Sequence, residues 1–167
     1  MIMALTNNKH VLDWVDEMIA LTKPDQVVWI DGSEEQLDDL RRQAEETKEM
    51  IKLNQEKLPG CYLHRTAVND VARVEHRTFI CSRKEENAGP TNNWMDPKEA
   101  YDKLGKLFDG SMKGRTAYII PYSMGPIGSP FSKAGVEITD SIYVVLNMAI
   151  MTRMGKEVFT ALGDSND

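Results

Sequence analysis

Cysteine is nearly missing from this sequence: Cys61 and Cys81 are the only two, without a Cys-x-x-Cys pair or a nearby histidine pair at metal spacing. Two such thiols predict reduced, semi-buried side chains, with neither a disulfide nor a metal site. Histidine is as sparse, and His10, His64 and His76 are too scattered to propose zinc. Basic residues are in deficit, 20 against 26 acidic ones for a net charge of −6, which excludes a general nucleic-acid or membrane-surface binder. No apolar run reaches the roughly 18 residues that would suggest a membrane span. The amino terminus MIMALTNNKH is too short and polar for a secretory signal, so the expected location is cytoplasmic. A phosphate-binding string of Gly, four residues and Gly-Lys-Ser or Gly-Lys-Thr is also lacking. Its nearest approach, Gly155-Lys156-Glu157, has no hydroxyl and no upstream glycine. Dinucleotide fingerprints and Ser/His/Asp or Cys/His catalytic sets are absent as well. The residues themselves therefore propose no nucleotide, metal or cofactor bound by this chain.

What is present is organised around residues 118–155, YIIPYSMGPIGSPFSKAGVEITDSIYVVLNMAIMTRMG. An apolar run at 116–122 predicts a strand, 123–130 a Gly/Pro-rich loop, 136–139 a second strand, and 140–154 a helix apolar on nearly every side. Pro121, Pro126 and Pro130 fix φ while Gly125 and Gly128 permit positive φ, so the loop reads as a rigid structural corner and not a phosphate cradle. Thr139 or Asp140 caps the apolar helix, and Gly155 stands where a left-handed residue would close it.

Upstream, Val11, Trp14, Val15, Met18 and Ile19 recur at helical spacing over 8–21, and Lys23-Pro24 ends that pattern. Residues 26–30 favour a strand, and Asp31-Gly32 turns into Ser33, which with Gln36 makes a capping box for a second helix. That helix is predicted over 34–53, with Leu37, Leu40, Ala44 and Ile51 on one face and a dense, solvated set of charges elsewhere. Pro59-Gly60 turns the chain into an extended 61–64. Asn69 or Asp70 caps a short helix through Val74, a strand follows at 78–81, and 82–93 reads as a polar surface loop. Asp96-Pro97 with Glu99 is another capping box, opening a helix lined by Tyr101, Leu104, Leu107 and Phe108 and terminated by Gly110. Alternating strands and helices predict an α/β or α+β fold with a mixed β-sheet flanked by helices, and 167 residues suit a single domain spanning 1–167.

The string YSMGPIGSPFSKAGVEITDSIYVV followed by NMAIMTRMG resembles the amino-terminal lobe of GTP-dependent phosphoenolpyruvate carboxykinases. WIDGSEEQ, LPGCYLHR, DVARVE and NNWMDP fall in the order that family uses, so the resemblance covers nearly the whole chain. It implies the partial amino-terminal lobe of a much longer enzyme, a lyase of gluconeogenesis that converts oxaloacetate and GTP into phosphoenolpyruvate, GDP and carbon dioxide. It also implies that GTP and a divalent metal, manganese or magnesium, are held by a nucleotide-binding catalytic domain absent from these 167 residues. This chain alone is then expected to be inactive.

An Arg two residues before a Glu is by itself ordinary surface decoration. The resemblance changes that for Arg73, which matches the arginine that contacts the carboxylates of oxaloacetate or phosphoenolpyruvate. The residue type suits the task, because a planar guanidinium grips a carboxylate with two parallel hydrogen bonds. Glu75 matches a position that supports closure by pairing with a mobile lid, whereas on its own it reads as a solvated acid beside Arg77. No role attaches to His76. The expected partners are oxaloacetate or phosphoenolpyruvate through Arg73 in the full enzyme, the remaining catalytic core, and, without that core, further copies of the same chain meeting through the apolar helix. The rival reading is a freestanding binding or regulatory module for a small dicarboxylate.

Overall fold

The computed structural model describes residues 4–70 and 74–165. The expected mixed sheet is present, and its centre is β6 (Thr116–Met124). β1 (Gln26–Trp29) runs parallel to its first half, with Val28 opposite Tyr118. β7 (Lys133–Thr139) is antiparallel along its other side, from Tyr118 opposite Thr139 to Met124 opposite Lys133. β8 (Arg153–Met154) takes over from β1 at the far end, pairing with Ser123 and Tyr122. A proline in such a central strand costs a ladder bond unless its missing N–H falls in a gap. Pro121 lies between the last β1 partner, Ile119, and the first β8 partner, Tyr122, and its carbonyl accepts from Gly155 N at 2.9 Å.

Side chains on a strand alternate between faces, and β6 is buried on both. Tyr118 and Ile120 meet Ile30, Leu37, Leu40, Ala44, Ile142, Val145 and Leu146, which come largely from α2 (Glu34–Glu46) and α4 (Ile142–Met151). Ile119 faces the other way, toward Val15 of α1 (Lys9–Thr22), Trp29, and Phe159 of α5 (Lys156–Leu162). Trp29 and Phe159 meet edge to face, ring centroids 5.8 Å apart. Asn8 secures this second layer. Buried, it caps α1 by accepting from His10 N and Val11 N, and its amide donates to the Gly163 and Ser165 carbonyls, fastening the two ends of the described chain together.

Five expectations about the elements need correction. Helix α2 stops at Glu46 rather than near 53, because Lys48 adopts a left-handed φ of 62° and turns the chain into β2 (Ile51–Lys52). β2 pairs with β3 (Tyr62–Leu63), so Ile51 faces Leu63 and is exposed, while Met50 packs on the core in its place. The Ser33 capping box is only half formed. Ser33 Oγ accepts from Gln36 N, but the Gln36 side chain passes over Ser33 to accept from Asp31 N and donate to the Trp29 carbonyl.

Helix α4 is opened neither by Thr139 nor by Asp140. Ser141 is its N-cap residue, and Glu49, from the turn after α2, supplies the carboxylate. Glu49 Oε1 accepts from Ser141 Oγ at 2.6 Å and from Tyr143 N at 2.9 Å, an anion at a helix amino terminus. Glu49→Ala is therefore expected to lower unfolding free energy by about 1–3 kcal/mol, the cost of leaving such donors without their charged acceptor. Chemical denaturation reads it as an earlier midpoint at unchanged slope, and a wild-type midpoint would contradict the assignment.

Gly155 does not close α4, which ends at Met151 with Thr152 as its C-cap. It precedes α5, with φ of 126°. The fifth correction concerns α3 (Pro97–Phe108). Asp96 caps it by accepting from Lys98 N and Glu99 N, and Pro97 takes the first helical position. Yet Tyr101, Leu104, Leu107 and Phe108 are exposed, and only Ala100 of the helix is buried. α3 is tethered at its carboxyl end, where Gly110 N and Met112 N donate to the Leu21 and Thr22 carbonyls and Lys23 pairs with Asp109. The hydrogen-bonded Lys23 ammonium holds the Asp109 carboxyl below its ordinary range. The short helix expected from Asn69 or Asp70 through Val74 falls on residues 71–73, outside the described residues.

Candidate functional site

Of the sequence-proposed site residues, Arg73 lies outside the described residues. Described residues lie on both sides of it, up to Asp70 and from Val74 onward. The upstream flank is the β2–β3 hairpin. Asn54 Oδ1 accepts from Glu56 N and Lys57 N, and Gln55 bridges the hairpin end, accepting from Gly60 N and donating to the Leu53 and Cys61 carbonyls. Tyr62 Oη donates to Glu45 and Lys52 pairs with the same carboxylate, which holds the lysine above its usual range with a lesser pull from Tyr62. The hairpin is docked by His64. Its Nδ1 lies 2.6 Å from the Glu49 carbonyl, an acceptor only, so Nδ1 carries the proton. Its ring stacks on Tyr143 at 3.9 Å with planes 16° apart. Glu49 thus joins α4 and the hairpin through two different atoms. Burial, helped by the same carboxylate, raises the Tyr118 phenol above its ordinary pKa.

The downstream flank starts with a single 3₁₀ turn, Glu75–Arg77. Arg77 N donates to the Val74 carbonyl at 2.8 Å, Thr78 Oγ1 to the same oxygen at 3.0 Å, and Thr78 N to the Glu75 carbonyl at 3.1 Å. β4 (Phe79–Ile80) comes next and pairs in parallel with β5 (Asn93–Trp94). The segment 82–93, expected to be a polar surface loop, carries a second 3₁₀ turn at Glu85–Ala88 whose Ala88 is buried. Three consecutive donors pin it: Asn92 Nδ2 to the Ala88 carbonyl, Asn93 Nδ2 to the Glu75 and Thr78 carbonyls, and Trp94 Nε1 to the Ser82 carbonyl. Their signal in sequence is the run Asn-Asn-Trp, one residue removed from the capping Asp96, three side-chain donors where a free loop needs none.

Glu75 is exposed, and its carboxylate makes no ion pair among the described residues, with Arg77 included. An exposed carboxylate on an anchored turn is free to meet a cationic group from elsewhere. Cys61 and Cys81 are exposed free thiols, not the semi-buried ones expected; each sits beside the short peripheral strands instead of the sheet core. Among the described residues no group of three or more His, Cys, Asp or Glu is arranged to hold a metal ion, so these residues do not fit one and no chemical step is assigned to a metal here.

The loop at 123–130 is described throughout. Ser123 Oγ donates to the Gly125 carbonyl, Ser132 Oγ to the Ser129 carbonyl, and Ser129 Oγ accepts from Phe131 N. Its hydroxyls thus bond to the corner's own backbone, as a structural corner requires. A cavity of about 290 Å³ lies beside it, and another of about 290 Å³ opens between α1, β7 and α5 next to His10, Trp14 and Phe159. Neither includes Glu75.

Helices on both faces of a mixed sheet, with an anchored 3₁₀ turn outside the core, define an α/β lobe. The family model described as phosphoenolpyruvate carboxykinase N-terminal domain matches residues 13–167, and the chain belongs to that family. It is 61% identical over 162 residues to phosphoenolpyruvate carboxykinase [GTP] of Anaeromyxobacter dehalogenans (strain 2CP-C), covering 97% of this chain and 27% of that protein. The enzymes of the same name from Corynebacterium jeikeium (strain K411) and Corynebacterium glutamicum (strain R) are each 51% identical, over 98% and 96% of this chain and 27% and 26% of theirs. The chain therefore spans about a quarter of the length of the curated relatives it matches.

Proposed function

We propose that this chain is the substrate-binding amino-terminal part of a GTP-dependent phosphoenolpyruvate carboxykinase, folding as one domain over 1–167 and working in the cytoplasm. The observation that carries the reading is 61% identity over 97% of the chain to an enzyme of that name. Arg73 grips a carboxylate of oxaloacetate or phosphoenolpyruvate, bidentate and charged at any physiological pH. Glu75, two residues on, pairs with a closing segment outside this chain. No helix among the described residues is long and apolar enough to cross a membrane, which fits the location.

GTP and the divalent metal, manganese or magnesium, are held by the remaining three quarters of the enzyme. That remainder is also the partner of the lobe. Support comes from apolar side chains that the lobe leaves uncovered: Tyr101 and Leu107 on α3, and Ile150 and Met151 on α4, whose other face carries the buried Ile142, Val145 and Leu146. In isolation these surfaces favour self-association.

The chain alone is expected neither to decarboxylate oxaloacetate above background nor to bind GTP. Calorimetric titration with GTP checks this. A micromolar dissociation constant needs about 8 kcal/mol of specific contact and would contradict the division of labour.

A further inference from the structure

β7 stands last in the strand order β1, β6, β7, so one of its sides meets no other strand among the described residues. The ladder fixes which backbone groups that side presents. In an antiparallel pair each residue turns its N–H and C=O to the same side, and successive residues alternate. The Ile119 and Pro121 carbonyls accept from Ile30 N and Gly155 N, so these two residues of β6 point away from β7. Their partners across the ladder, Ile138 and Val136, therefore point away from β6, and Ala134, two residues before Val136, does the same. Among the described residues no hydrogen bond reaches these three N–H groups.

Bare edges are usually kept short or broken by proline or a bulge, because they invite pairing. β1, the opposite edge, is short at four residues. β7 has seven, without proline, and its register with β6 runs unbroken from Lys133 to Thr139. Beside it lies the cavity of about 290 Å³ whose walls include Val136, Trp14 and Phe159, with Trp14 39% exposed. A strand laid along β7 finds regularly spaced donors and acceptors, and its alternate side chains find that cavity.

We propose that β7 is a docking edge within the full enzyme: an extended segment from outside residues 1–167 adds to it as a further strand, bonding through Ala134, Val136 and Ile138. The occupant comes from the same polypeptide. This chain covers only 27% of the relative to which it is 61% identical, which leaves ample length to supply a strand. A tethered segment also meets the edge at a far higher effective concentration than a free partner does. The proposal deepens the reading of this chain as one part of a longer carboxykinase and rests on it.

The test is residue-resolved amide hydrogen exchange of the full-length enzyme carrying this sequence, corrected for intrinsic rates. Gly135 and Glu137, whose N–H groups face β6, are internal controls. Val136 and Ile138 are expected to be protected to within about tenfold of these controls, at every protein concentration. A wider gap, with Val136 and Ile138 exchanging faster, would show a bare edge and overturn the proposal. Protection that falls away on dilution would overturn it too, since the occupant would then be a second copy. A full-length protein that fails to convert oxaloacetate and GTP would instead overturn the carboxykinase reading beneath, whatever its exchange pattern, so the two failures are distinguishable.

Discussion

Gly155→Ala is expected to destabilise this lobe by about 2–4 kcal/mol, through backbone strain and a steric collision together. Gly155 holds a φ of 126°, and a Cβ built on it would lie 2.5 Å from the Asp31 carbonyl oxygen and 3.1 Å from Gly32 Cα. Gly32 meets the same corner from the opposite side, with φ of 80° and a Cβ position 2.6 Å from the Met154 carbonyl oxygen. Every one of these neighbours is backbone, so no side-chain rotation relieves the contact. The two glycines let the strand-to-helix corner after β1 lie directly on the β8-to-α5 corner, and two hydrogen bonds seal the junction: Gly155 N to the Pro121 carbonyl at 2.9 Å and Lys156 N to the Asp31 carbonyl at 3.0 Å. Separating the corners to admit a methyl group stretches both bonds and shifts α5, whose Val158 and Phe159 are buried. Denaturant unfolding of Gly155→Ala and Gly32→Ala measures the cost directly. Values within about 0.5 kcal/mol of wild type, the range of ordinary surface substitutions, would contradict the close approach.

That junction shows where reading by sequence runs out. The helical spacing of Val11, Val15 and Ile19, the cap at Asp96 and the apolar runs of β6 and β7 are local signals, and each element forms close to where they lie. Gly155 is legible as a special residue but not as the neighbour of Gly32, because nothing local links positions more than a hundred residues apart. Glu49 is hidden for the same reason. In sequence it is one acid among many on a predicted solvated helix, and only the fold brings it to Ser141 and Tyr143. The end of α2 is lost because Ile51 continues the apolar spacing, while the hairpin with Leu63 that claims it is non-local. Tyr101, Leu104, Leu107 and Phe108 show the converse. They line one helix in sequence, and the described residues leave them exposed.

The site is legible through family resemblance alone. Arg73 and Glu75 carry no motif that composition or spacing would single out, and no described cavity marks their position. Membership of the carboxykinase family gives the two residues their weight.

The largest functional effect is expected at Arg73. If its guanidinium grips a substrate carboxylate with water excluded, Arg73→Ala leaves a charged group without its partner, at a typical cost of about 2–5 kcal/mol. At about 1.4 kcal/mol per decade, that is roughly thirtyfold to several thousandfold in kcat/KM for oxaloacetate. Arg73→Lys keeps the charge but loses the two-pronged geometry, so it is expected to recover only part of the loss. An arginine that merely decorates the surface behaves differently: its ion pairs are worth about 0–1 kcal/mol, and kinetics would barely register its removal. The decisive measurement is kcat/KM for oxaloacetate of full-length Arg73→Ala enzyme, with its melting temperature recorded alongside. A substrate clamp requires a loss of at least about thirtyfold with a nearly unchanged melting temperature, whereas wild-type kinetics would contradict it.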